Sequence, residues 1–220
     1  MILLGLDTAG TDCAAAVYDS ARGELLGRAS ADIGRGHAEQ LMGFIEKALA
    51  ESAKTLEAVE RIAVTIGPGS FTGIRVGVAT ARGLGLALGI PAVGVSTLHV
   101  LAAHGLAAQG QPNGTAVLAA MDAKRDELYC QLFDASGASM GEPVAIGLED
   151  AKARFSDFEG RIVGSGAALL RPGTVGVNDF DIATVARLGA LADANIDKPK
   201  PLYLRGPDAK PQVGFAIAHQ

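Results

Sequence analysis

An α/β fold in two parts is predicted by three features of the 220-residue sequence. Short apolar runs alternate with longer segments of helical period. One such run, Ile62 to Ile66, stops abruptly at Gly67-Pro68-Gly69 and opens a long glycine-spotted helical stretch. Turn-rich or polar breaks separate the runs at lengths typical of a layered sheet-and-helix domain.

Residues 2–6, 13–18 and 24–31 read as three strands, joined by Asp7-Thr8-Ala9-Gly10-Thr11-Asp12 and by Ser20-Ala21-Arg22-Gly23. Both links are short, so the strands form an antiparallel meander. A helix follows from His37 to Ser52, with Leu41, Phe44, Ile45, Ala48 and Leu49 on one face and Glu39, Glu46 and Lys47 on the other. The Ile62 to Ile66 strand leads through the glycine turn into a helix that runs to Leu88. Gly89 and Pro91 are a helix stop. Pro91 to Val95 is a further strand, and Ser96 is the expected cap of a helix reaching Ala107.

Three meandering strands followed by helix, strand, helix, strand is the order of a ribonuclease-H-like half domain. Two such halves make the actin-like ATPase (ASKHA) fold, so the chain is divided at 1–108 and 109–220. A Gln109 to Gly114 linker introduces the second part. Strands are expected there at 116–121, 127–134, 143–146 and 161–164, with a helix over 182–194. The tail from Lys198 carries Lys198, Lys200, Arg205 and Lys210 against Asp208. Its prolines make it extended.

A formal net charge of −5 argues against a domain that grips nucleic acid unaided. Cys13 and Cys130 sit in apolar runs without metal or disulfide spacing, and read as buried thiols of a reducing compartment. No run is long enough to span a membrane, and Asp7 interrupts the apolar N-terminus, so the expected location is the cytosol.

The residue chemistry is sparse. His99 and His104 are five apart and so lie on different helix faces, while His37 and His219 stand alone. No metal centre is expected. Asp7 and Thr8 occupy the turn where an actin-like ATPase holds phosphate. Gly69 and Ser70 open the helix behind the glycine turn, whose N–H groups suit an anion. These four are the candidate phosphate-binding residues, although Asp7-Thr8 fits a locally bonded turn equally well. Ser70 is not in a nucleophile elbow and reads as a helix cap.

The helix after the turn is more informative. Gly77, Gly83 and Gly85 lie in its interior, each costing about 1 kcal/mol against alanine. Gly73, Gly77, Ala81 and Gly85 recur every fourth residue and form a ridge that lets another element approach closely. That element is either the chain's own sheet and first helix or a second protein. Spacing alone leaves both open.

The block GPGSFTGIRVGVATARGLGLALGIPAVGVSTL closely resembles the signature of the TsaB (YeaZ) family. LLGLDTAGTDCAAAVYD, GHAEQLM, MDAKRDELYC and PLYLRGPDAK match in family order over nearly the whole chain. The resemblance implies an actin-like fold and a non-catalytic role in making N6-threonylcarbamoyladenosine beside the anticodon of tRNA. It implies pairing with a catalytic TsaD-like subunit and a TsaE-like ATPase, with tRNA reached through the complex. It places no cofactor in the isolated chain, ATP or ADP belonging to the complex. The docking helices would be 37–52 and 72–88, with Gly73, Gly77, Ala81, Gly85, Leu41 and Ile45 as helix contacts. The same surface would pair two copies when the chain is alone. Two other readings stay open on the residues: an autonomous actin-like ATPase or kinase using Asp7, and a metal-dependent hydrolase.

Overall fold

The computed structural model describes residues 1–107, 115–176, 178 and 180–205. His219, Asp208, Lys210 and the 109–114 linker lie outside them. Strand β1 (Ile2–Asp7) pairs antiparallel with β2 (Asp12–Asp19), and β2 with β3 (Glu24–Asp32). Helix α1 (His37–Ser52) leads through a single 3₁₀ turn at Leu56–Ala58 to β4 (Arg61–Gly67). Helix α2 (Phe71–Leu88) and β5 (Ala92–Ser96) follow. The first sheet has the order β3-β2-β1-β4-β5, with β4 parallel to both β1 and β5. The element order and the antiparallel meander are those read from the sequence.

Helix α3 (Thr97–Ala107) crosses to a second sheet of order β8-β7-β6-β9. It comprises β6 (Val117–Lys124), β7 (Glu127–Phe133), β8 (Val144–Gly147) and β9 (Arg161–Val163), with α4 (Leu148–Arg154) and α5 (Ala167–Leu170) beside it. Helix α6 (Ile182–Leu191) ends the regular structure. Helices α4 and α5 were not expected. Each has only one or two turns, too short for a periodic apolar pattern to show.

The first sheet is covered on both sides. Leu41, Phe44, Ile45 and Ala48 of α1 and Ile74, Val78 and Ala81 of α2 pack on Leu4, Leu6, Val17, Ile62 and Val64. On the other face Ile182 and Val185 of α6 join Val100 of α3 against Ala14, Ala16, Ala63, Val93 and Val95. Burial on both faces is why β1 and β4 read as continuous apolar runs rather than alternating ones. Helix α6 belongs to the second half in chain order, but its buried face completes the first sheet's core.

Helix α3 joins the two halves. Leu98, Leu101 and Ala102 pack on Val117, Ala119, Met121 and Phe133 of the second sheet. At its start Thr97 Oγ1 donates to Pro68 O at 2.6 Å, tying it to the glycine turn. The expected cap is absent: Ser96 Oγ is buried without a hydrogen-bond partner among the described residues.

Strand β5 is an edge, and the segment after α6 runs along it. Gly94 N donates to Asp197 O at 2.7 Å and Leu202 N to Ile66 O at 2.8 Å. Pro199 and Pro201 in this strap cannot donate outward, which blunts the edge against further strands. The strap then reaches the second sheet, where Arg205 pairs with Glu127 through both Nε and Nη2.

The C-terminal end of α6 is held by one cation. Arg61 Nη1 donates to the carbonyls of Gly189, Ala190 and Ala192 at 3.1, 3.2 and 2.9 Å. These are carbonyls that a helix end leaves without intrahelical partners. Arg61→Ala should therefore lower stability by about 2 kcal/mol, read as a lower urea midpoint with an unchanged slope.

Candidate functional site

Two places collect the residues singled out in the sequence: the cleft between the two sheets, and the surface of α1 and α2. The cleft encloses about 590 Å³ and is lined by the Ala9–Asp12 turn, Gly69, Ser70, Asp122, Lys124, Tyr129, Asn178 and Arg205 among others. Its position matches the expected phosphate turn. Its chemistry does not.

The polar groups of that turn are engaged inside the protein. Asp7 is 1% exposed, and its Oδ1 accepts from Thr65 Oγ1 at 2.5 Å and from Ala9 N at 3.0 Å. Its Oδ2 is buried without a partner among the described residues. Burial raises its pKa from 3.8 to about 6, against the opposing bonds from Thr65 and Ala9. Thr8 is fully buried and its Oγ1 donates to Gly73 O at 2.7 Å. Ser70 Oγ caps α2 by accepting from Gly73 N, and Ser70 N donates to Ala9 O at 2.7 Å. Gly69 lies so close to Ala9 O that a Cβ there would overlap it. Of the candidate phosphate set, Asp7 and Thr8 are buried in internal bonds, whereas Gly69 and Ser70 are exposed and line the cleft. Thr8 and Ser70 also seat α2 on the β1–β2 turn.

The small-residue ridge turns inward as well. Gly73, Gly77, Ala81 and Gly85 are all buried within the single chain. A Cβ on Gly77 would lie 2.5 Å from Thr8 Oγ1 and 3.2 Å from Val64 Cγ2. One on Gly73 would overlap Thr8 O, and one on Gly85 would press on Ile90 O at 3.1 Å. Leu41 and Ile45 are each 1% exposed and belong to the same core. The expectation that these six residues touch a partner is corrected: the ridge serves the approach of α2 to its own sheet and turn.

The residues that do face outward were missed. Gly43 in α1 and Gly83 in α2 lie in helix interiors, and nothing stands within 4 Å of where a Cβ would sit. Each costs about 1 kcal/mol against alanine with no packing inside the chain to require it. Ala79, one turn before Gly83, and Met42, beside Gly43, are exposed too. The signal was present in the sequence, since Gly83 breaks the four-residue spacing of the ridge and so sits on another face.

Among the described residues no three His, Cys, Asp or Glu side chains converge. Burial pushes the Cys13 and Cys130 thiols up to about 11 and about 12, which suppresses thiolate chemistry. His37 Nε2 lies 3.1 Å from Asp12 O, and His99 stacks on Phe133 at 5.1 Å with burial lowering its pKa. No described helix is long and apolar enough to cross a membrane.

Comparisons with known proteins point to one family. Residues 30–160 match the model of TsaD, tRNA N6-adenosine threonylcarbamoyltransferase. The tRNA threonylcarbamoyladenosine biosynthesis protein TsaB of Escherichia coli is 34% identical over 148 residues, covering 64% of this chain and 60% of that one. The tRNA N6-adenosine threonylcarbamoyltransferase of Paracoccus denitrificans is 31% identical over 213 residues, which are 90% of this chain but 57% of the enzyme. The solved structure of YeaZ from Pseudomonas aeruginosa superposes with a TM-score of 0.73 at 26% identity, over 92% of this chain and all of that one.

Two outcomes follow from the geometry. Gly77→Leu should unfold or strongly destabilise the isolated chain, by more than about 3 kcal/mol, because it overpacks a closed contact. The raised Asp7 pKa means folding favours the protonated acid, so its contribution is fully present below about pH 4 and lost as pH rises through about 6. Asp7→Asn should thus stabilise the chain by about 3 kcal/mol at pH 8 and by little at pH 4, measured by urea unfolding at the two pH values.

Proposed function

The chain belongs to the TsaB (YeaZ) family, and from that premise we propose that it is a non-catalytic subunit in the formation of N6-threonylcarbamoyladenosine on tRNA. Its partner is a TsaD-like catalytic subunit, joined by a TsaE-like ATPase, in the cytoplasm. The observation that carries this reading is the pair of outward glycines, Gly43 and Gly83, on the two helices of one face. Helix-interior glycine without an internal contact is explained by a second helix that packs against it. A homologous partner would supply such helices, since relatives of this chain include the transferase itself. The same face would pair two copies of the free chain.

The cleft supports the division of labour. A carboxyl 1% exposed, with Thr65 Oγ1 and Ala9 N bonded to its Oδ1, is poorly placed to reach magnesium or phosphate in the cleft. Nucleotide chemistry is therefore assigned to the partners. The chain's part is to hold and activate the catalytic subunit.

Co-expression with the TsaD-like protein of the same genome should give a heterodimer on size exclusion. Gly83→Leu should leave the isolated chain folded, with an unchanged thermal midpoint, yet weaken pairing at least tenfold, about 1.4 kcal/mol. Unimpaired pairing of a folded Gly83→Leu variant would remove α2's outer side from the interface.

A further inference from the structure

The flank of α2 that faces the strap carries a second, chemically different surface. Arg82, Lys198 and Lys200 line one groove of about 860 Å³ with Leu86, Ile90 and Pro199. No acidic residue lines it, in a chain where acids outnumber Lys and Arg 24 to 19. All three cations are exposed. None of them has an ion-pair or hydrogen-bonding partner among the described residues.

The bland explanation for basic residues here is the C-terminal end of α2, whose carbonyls attract cations. That end is already closed. Gly89 in the left-handed region donates back into the last turn, and Ile90 N donates to Gly85 O at 3.0 Å. The cations are also held in place by a rigid frame, because the strap between Asp197 and Leu202 is bonded to β5 and β4 at both ends.

The groove continues along α2. Phe71, Arg75, Arg82 and Leu86 are spaced by four and seven residues and share one flank. At the far end the Arg75 guanidinium lies 3.7 Å over the Phe71 ring, and its Nε donates to Tyr203 OH at 2.8 Å. Phe71 and Tyr203 remain 55% and 47% exposed. Cations without counter-charges bind nucleic-acid phosphates, and exposed rings further along the same helix flank offer bases a stacking surface. Gly83 lines the same groove, so a partner helix seated on it borders these cations, and the groove is open in the free chain.

We infer that the groove of Arg82, Lys198 and Lys200 binds the sugar–phosphate backbone of tRNA. This rests on the reading of the chain as a tRNA-modification subunit and gives it a direct contact with the substrate, where the sequence placed tRNA at one remove. The test measures binding of an unmodified tRNA transcript to the full chain as salt is raised from low to physiological levels. The wild type is compared with the triple variant Arg82→Gln, Lys198→Gln, Lys200→Gln.

Three phosphate contacts give a slope of log affinity against log salt of about −2 to −3. The triple variant should lose most of that slope and about tenfold or more in affinity near 50 mM salt, with an unchanged thermal midpoint. A flat salt response in the wild type, or equal slopes in both proteins, overturns the inference. Equal displacement of tRNA by poly-glutamate also overturns it, since the groove would then be a site for acidic peptide. Deleting the gene and restoring it separates the premise from the inference. Restored N6-threonylcarbamoyladenosine with no tRNA binding sinks the groove alone, whereas no loss of the modification on deletion sinks the family role.

Discussion

The seat of α2 on the β1–β2 turn is the constraint on which the rest depends. Thr8 Oγ1 donates to Gly73 O at 2.7 Å, Ser70 N donates to Ala9 O, and Gly73 and Gly77 leave no room for a side chain between helix and turn. That contact is closer than any residue with a Cβ would allow, which is what helix-interior glycine achieves at its cost in helix stability. It determines the rotation of α2 and with it every outward residue. Val78 and Ala81 go to the sheet, Ala79 to solvent, and Arg82, Gly83 and Leu86 to the groove beside the strap.

The same contact closes the turn to phosphate. A turn that holds an anion needs backbone N–H groups and hydroxyls free to point at it. Here the Thr8 hydroxyl is bonded to Gly73 O of α2 and Ala9 N to Asp7 Oδ1, and the Asp7 carboxyl is buried far enough to titrate near pH 6. An actin-like architecture is thus retained with its ligand turn converted into a packing joint. The strap reinforces this arrangement, since it caps the edge at β5 and pairs with Glu127 of the second sheet across the mouth of the cleft.

Much of the fold was legible because the strands of the first half are covered on both faces and separated by short turns, so their apolar runs stand out. Gly89 ended α2 where its left-handed conformation requires, and Ser70 capped it as its position suggested. The orientation of the ridge was not legible. A four-residue spacing identifies a face of a helix but not what meets it, and Gly73, Gly77, Ala81 and Gly85 serve an internal contact as well as an external one. The return of α6 to the first sheet was hidden for a related reason. Gly189 and Ala186 press on Ala63 and Gly5, and such small-to-small contacts leave no trace in hydrophobic pattern. The Thr65 partner of Asp7 comes from a strand 58 residues on, a pairing that only the fold creates.

The claim that this protein works through its helix surfaces rather than its cleft is most directly tested by amide hydrogen exchange. The chain is measured alone, with magnesium and ATP, and with its TsaD-like partner. The account predicts new protection in 37–52 and 71–88 on addition of the partner, and none in the 8–12 turn on addition of nucleotide. Protection of 8–12 by ATP in the isolated chain, with α1 and α2 unchanged by the partner, would contradict it.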